Sequence, residues 1–213
     1  MTVSQSNAHT LERELVWFLR VLDARMKNYF SADGATSAES VYSIIPPDLK
    51  SDSSEYAKIV SEFSMGFAER IVFILCLIPH IRPQSLDILF TQSSITTRSY
   101  TEFGGVKGKS HIGFLPTAET AVFILAGSDL TQRFAVQQLF DVQHYLTTQG
   151  IIKVDHQGNG EPLLNAAINI TPDYLQRCTH GEVHKPDYST EFPAKLITSK
   201  LGWDDLVLSL EVM

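Results

Sequence analysis

Gly108-Lys109-Ser110 is the tripeptide in this chain that most invites a chemical reading. A P-loop ends in those residue types, where glycine amides, a lysine and a hydroxyl hold phosphates and magnesium. The spacing opposes that reading. A P-loop needs a glycine five residues before Gly108, and that position is Phe103; Gly104 stands one residue too close. The context opposes it too, because a P-loop Lys-Ser opens a helix directly after a buried strand. Here Gly113 and Pro116 follow, and the polar run Arg98-Ser99-Tyr100-Thr101-Glu102 precedes. The stretch instead predicts an ordered loop whose glycines serve positive φ or close backbone approach. Two uses compete for it. In the first, Phe103 and Phe114 tuck into the core and the loop is a structural lid with solvated lysines. In the second, Arg98, Lys107 and Lys109 form a docking point for an acidic segment of a partner. The lid is the preferred reading.

Cys178, His180 and His184 are the only soft ligands that cluster. Cys-x-His-x₃-His supplies three groups where a structural zinc site takes four, and Asp187 is a weak fourth. An exposed polar loop after a short helix is the expectation, without metal. Ser110 and His111 are neighbours in sequence only, and no G-x-S-x-G elbow is present. No HExxH or EF-hand spacing occurs either. The sequence therefore predicts no catalytic residue, cofactor or metal in this chain.

The elements that must position these residues are mostly helical. Residues 1–9 are polar and expected to be disordered. From Thr10, Leu11, Leu15, Phe18, Leu19, Leu22, Met26, Tyr29 and Phe30 recur at spacings of three and four, with Glu12 and Glu14 in the first turn. Residues 31–51 read as loop, extended before Pro46-Pro47. Asp52 and Glu55 have capping-box spacing ahead of a short helix with Tyr56, Ile59, Val60 and Phe63. Ser64 is the expected cap of the next helix, which is apolar on every side from Ile71 to Ile78 and therefore central to a core. Pro79 is expected to end it. Pro83 opens another helix bearing Leu86, Leu89 and Phe90.

After a long polar connection over 91–112, Thr117 and Gly127 bracket a helix with Glu119 in its first turn. A second helix runs from Leu130 with Phe134, Val136, Leu139 and Phe140, breaks at Asp141, and resumes at Tyr145 and Leu146. Ile151–Val154 and Leu163–Ile170 read as a β-hairpin around a glycine-rich turn. A helix followed by such a hairpin is the pattern of a winged-helix unit. Pro172 starts a further short helix, Leu196–Thr198 reads as a short strand, and Trp203–Leu208 as an apolar-acidic tail. The fold class is α+β, mainly α: a helical domain over 10–200 with a winged-helix-like unit and a β-hairpin wing, divisible at residue 100.

With 213 residues, 44% hydrophobic and 19% charged, the chain has the composition of an ordinary globular protein. A net charge of −7 argues against nonspecific binding to nucleic acid or anionic membrane. From Asp129 to Ile170 the cations are Arg133 and Lys153, against Asp129, Asp141, Asp155 and Glu161. A duplex reader needs the opposite balance. The N-terminus has no signal-peptide pattern, the longest apolar run falls short of a membrane span, and the two cysteines lie far apart. The expected compartment is the reducing cytoplasm.

Four segments carry a resemblance: IIPPDL (44–49), AERIVFILCLIPHIRPQSLDILF (68–90), TEFGGVKGKSHIGFLPTAETAVFILAG (101–127) and FPAKLITSKLGWDDLVL (192–208). Together they resemble the N-terminal region of AAA-type ATPases associated with phage-tail-like extracellular contractile injection systems. The 101–127 segment is the most specific. The resemblance implies a winged-helix-containing region ahead of an AAA core, with residues 201–213 as the junction. ATP and magnesium are then expected only in that core, because no Walker A or B motif lies within these residues. It also implies a ring oligomer for the parent protein, the AAA core as a partner in cis, and an injection-system client or adaptor as a second partner. The resulting expectation is a noncatalytic protein-interaction domain of a bacterial ATPase. The alternative is a nucleic-acid-binding winged-helix regulator; a stand-alone nucleotide enzyme is opposed by the spacing at Gly108.

Overall fold

A computed structural model describes residues 2–31, 40–94, 97–155, 158 and 160–181. The first helix, α1 (Val3–Phe30), starts well before Thr10. Thr2 and Gln5 form a reciprocal capping box that satisfies its first amides. Asn7 is fully buried; its side chain donates to the Arg177 carbonyl at 3.1 Å and accepts from the Glu55 amide at 2.8 Å. Residues 3–9, expected to be disordered, are helical, with Asn7 bonded to distant backbone. Leu11, Leu15, Phe18, Leu22 and Met26 face the core as expected, joined by Trp17 and Val21, whereas Leu19 and Phe30 face outward. The stripe drifts around the helix because 3.6 residues per turn does not repeat evenly over 28 residues.

Helix α2 (Glu55–Glu62) is capped by Ser54, whose hydroxyl accepts from the Ala57 amide at 3.1 Å. Asp52 is not the cap, contrary to expectation. It accepts from the Ser54 amide and from Thr10 and Arg13 on α1, and so ties the loop to the first helix. Helix α3 (Phe67–Ile81) is capped at Gly66, not Ser64, which sits in the turn at φ 49°. Ile71 to Ile78 are buried on every side. Pro79 lies inside the last turn instead of ending the helix. Pro83–Phe90 follows as a 3₁₀ helix.

The polar connection folds back on itself. Val106–Lys107 (β1) and Phe114–Leu115 (β2) pair as a small antiparallel hairpin, with Lys107 opposite Phe114. Next come α4 (Ala118–Ala126), α5 (Leu130–Gln137), a 3₁₀ turn and α6 (Tyr145–Thr148). The predicted β-hairpin is present as β3 (Ile152–Asp155) and β4 (Ala167–Ile170) in antiparallel register, Ile152 opposite Ile170. The returning strand starts at Ala167, not Leu163, because Leu163–Asn165 is a 3₁₀ turn. A bridge between Thr117 and Ala167 joins the two hairpins, supported by Ile168 N–H to the Pro116 carbonyl at 3.0 Å. Helix α7 (Pro172–His180) then packs on α1 and α2. The architecture is α+β, mainly α.

Met1–Val183 forms one unit, and α1 contacts α3 and α4 alike, so no boundary falls at residue 100. The expected strand at 196–198 and the junction at 201–213 lie outside the described residues. Among the described residues no single helix is long and apolar enough to cross a membrane. Helix α3 with the 3₁₀ helix after it would have the composition only as a pair bent by 105°.

Inside the unit, one polar network crosses the apolar core. Glu14, fully buried on the fourth turn of α1, accepts from the Tyr56 hydroxyl at 2.9 Å and pairs with the Arg70 guanidinium. Arg70 also donates to the Pro47 carbonyl at 3.1 Å and lies 5.3 Å from the Trp17 ring centre. Burial pushes the Glu14 carboxyl above its ordinary range, and the Arg70 charge only partly offsets it.

Candidate protein-docking surface

The base of the β1–β2 hairpin is set into the core. Phe103 is fully buried and packs its ring on Tyr29, Tyr100 and Phe123, with centroids 5.2, 5.0 and 4.6 Å away. Phe114 is also buried, edge-on to Phe90 at 5.4 Å. Gly104 sits at φ 62°, pressed on the first turn of α4, and the Gly105 amide donates to Thr117 Oγ1 at 3.1 Å. Thr117 caps α4 reciprocally with Thr120. This is the lid expected from the sequence. Gly108-Lys109-Ser110 lies in the hairpin turn, so no helix N-terminus follows it and the geometry of a P-loop is absent there.

Beyond that base the turn projects Lys107 and Lys109, both exposed, together with Ile112, which is 97% exposed. Arg98 is exposed on a separate turn closed by the Gln92–Ser99 bridge. The structure thus groups Lys107 with Lys109 on one hairpin and places Arg98 on another loop. None of the three forms an ion pair with a described residue. His111, in the same turn, is half-buried and packs over Gly108 and Gly113. The His80 imidazole is held below its ordinary value, first by burial and then by His111.

A second exposed surface was not legible as such. On α5 the short apolar set divides: Val136 and, just beyond, Leu139 point inward, whereas Leu130 and Phe134 are 64% and 61% exposed. Leu130 and Phe134 are four residues apart and so share one face. A groove of about 230 Å³ on another face of α5 is lined by Tyr42, Ala68, Gln132, Ala135, Val136 and Leu139. The one cation of α5, Arg133, is already engaged. It forks onto both carboxylate oxygens of Glu119 at 2.7 and 2.9 Å and donates to the Gly127 carbonyl at 3.0 Å. Lys153 on β3 pairs with Asp155 at 2.6 Å. Glu119 links the two surfaces, since a side chain at Gly104 would meet Glu119 Cβ at 3.0 Å.

Cys178 and His180 differ in their surroundings. The Cys178 thiol is buried and pushed up to about 12 by that burial, whereas His180 is exposed and bonds to Thr179 Oγ1 at 2.8 Å. His184 and Asp187 lie outside the described residues. Comparison with family models, curated proteins and solved structures finds no match.

Proposed function

We propose that this chain is a noncatalytic protein-interaction domain, in the setting its resemblance implies: the winged-helix-containing N-terminal region of an AAA-type ATPase of a contractile injection system. There it recognises a client or adaptor during particle assembly or loading, in the cytoplasm, while ATP and magnesium act in the AAA core. One observation carries the reading. Arg133 is locked onto Glu119 while Leu130 and Phe134 stand exposed on the same helix. Exposed apolar anchors without a free cation suit a protein partner. A nucleic-acid reader in this position needs cations able to displace counterions from phosphate. Lys107 and Lys109 supply a separate contact for an acidic segment of the client or of the core.

The test uses the parent ATPase with Leu130→Ser plus Phe134→Ser, and separately with Lys107→Glu plus Lys109→Glu. The expected result is a normal melting transition with loss of co-purifying injection-particle components in the first variant. Retained capture by the first variant rejects the α5 face, and retained capture by the second rejects the lysines. Salt-dependent duplex binding that disappears with Arg133→Ala supports the nucleic-acid alternative instead.

A further inference from the structure

Another cleft lies between the Pro47–Asp52 segment and α2. It encloses about 640 Å³, within the usual size range of small-molecule sites. Its walls include Pro47, Leu49, Val60 and Ser61, and Lys50 and Arg70 also line it. Arg70 is only 7% exposed. Both of its side-chain hydrogen bonds leave from Nη2, to Glu14 and to the Pro47 carbonyl, and its buried Nε has no partner. A buried ion pair of this kind gives little net stability compared with apolar residues of the same volume. A half-satisfied guanidinium beside a cleft, backed by a perturbed carboxylate, is the kind of arrangement found at binding sites.

The other charges around the cleft are largely committed. Asp52 accepts from Thr10 at 2.7 Å, Arg13 at 3.2 Å and the Ser54 amide at 2.9 Å. Glu62 accepts from Arg177 at 3.3 Å, and Lys58 pairs with Glu55 at 2.6 Å. Asp48 accepts the Lys50 amide at 3.0 Å. The Lys50 ammonium forms no ion pair with a described residue and stands exposed. A cation held low in the cleft, a second one free, and aliphatic walls from Leu49 and Val60 together suit an anion with a short carbon chain. Asp48 and Glu62 in the lining disfavour a doubly charged anion more than a singly charged one.

We propose that this cleft binds a small organic monocarboxylate, its oxygens held by Arg70 and Lys50 and its chain laid against Leu49 and Val60. The site is independent of the docking surface described above. The probe is sodium butyrate, titrated into the ¹⁵N-labelled 213-residue chain, with sodium phosphate and sodium chloride at matched ionic strength as parallel arms. The expected result is saturable shifts of the Leu49, Lys50 and Ser61 amides and of the Arg70 Nε–H signal with butyrate. Ser61→Glu and Lys50→Glu, both at exposed positions, should each weaken that saturation by about tenfold while leaving the melting temperature unchanged. Shifts that never saturate, that spread to Lys107 and Lys109, that survive Ser61→Glu, or that are stronger with phosphate overturn the proposal.

Discussion

Replacing Gly104 with alanine tests whether the lid is held by its base. Gly104 adopts φ 62° and ψ −142°, a region that residues with a side chain rarely enter. Forcing alanine there costs about 1–3 kcal/mol in backbone strain. Its Cβ would also lie 2.9 Å from the Thr120 amide nitrogen and 3.0 Å from Glu119 Cβ, and it would meet Thr117 Oγ1. Those atoms belong to the capped first turn of α4, so relief of the clash disturbs a cap worth about 1 kcal/mol. The sum is about 2–4 kcal/mol. Gly150 provides the control. It also has a φ of 62°, but a Cβ there meets nothing within 4 Å, so Gly150→Ala carries no contact penalty. Urea unfolding followed by far-UV circular dichroism gives both values from midpoints at constant slope. Gly104→Ala should lose about 1 kcal/mol more than Gly150→Ala. A loss at Gly104 no larger than that at Gly150 would refute the contact argument.

Phe73→Ala should cost about 3–5 kcal/mol, because Phe73 is fully buried and stacked on Tyr56 at 5.0 Å; an unchanged urea midpoint would remove α3 from the core. Glu14→Ala should cost about 3–5 kcal/mol by leaving the Arg70 charge buried and uncompensated. Glu14→Leu combined with Arg70→Met should cost less than Glu14→Ala, and a double-mutant cycle measures the coupling. Burial raises the Asp52 carboxyl, but bonds from Ser54 and Thr10 and the Arg13 charge outweigh it, leaving the group below its ordinary 3.8. With the folded value depressed, the Asp52 contribution is present above 3.8 and is lost as pH falls through the folded value. Asp52→Asn should therefore flatten the acid limb of the stability profile, read from urea midpoints; an unchanged limb would deny Asp52 its role as a tie to α1.

The readings that held were local ones. Thr117 and Gly127 bracket α4 because a hydroxyl three residues from an amide and a glycine free of Cβ act within one turn. Phe73 and Leu77 are buried because a run apolar on every side has no polar face to turn outward. The β3–β4 hairpin followed from two apolar runs around a glycine-rich turn, although its returning strand shortened to Ala167–Ile170. The lid was legible in Phe103 and Phe114, both of which are buried.

What the tertiary structure decided were competitions between partners distant in sequence. Glu14 looked like a first-turn acid, yet Arg70 and Tyr56 reach it across 56 and 42 residues, and only that pairing permits a carboxylate in the core. Its place among Leu11, Leu15 and Phe18 was the signal available, since a charge on an apolar stripe needs a buried partner. Asp52 lost the α2 cap to Ser54 because Thr10 and Arg13 of α1 claim its carboxylate. Asn7 ordered a polar N-terminus by bonding to a carbonyl 170 residues away. On α5, Phe134 and Val136 are both apolar, and hydropathy alone ranks neither as the inward one. The side on which α5 meets α4, fixed by the Arg133–Glu119 fork, turned Val136 in and left Phe134 out.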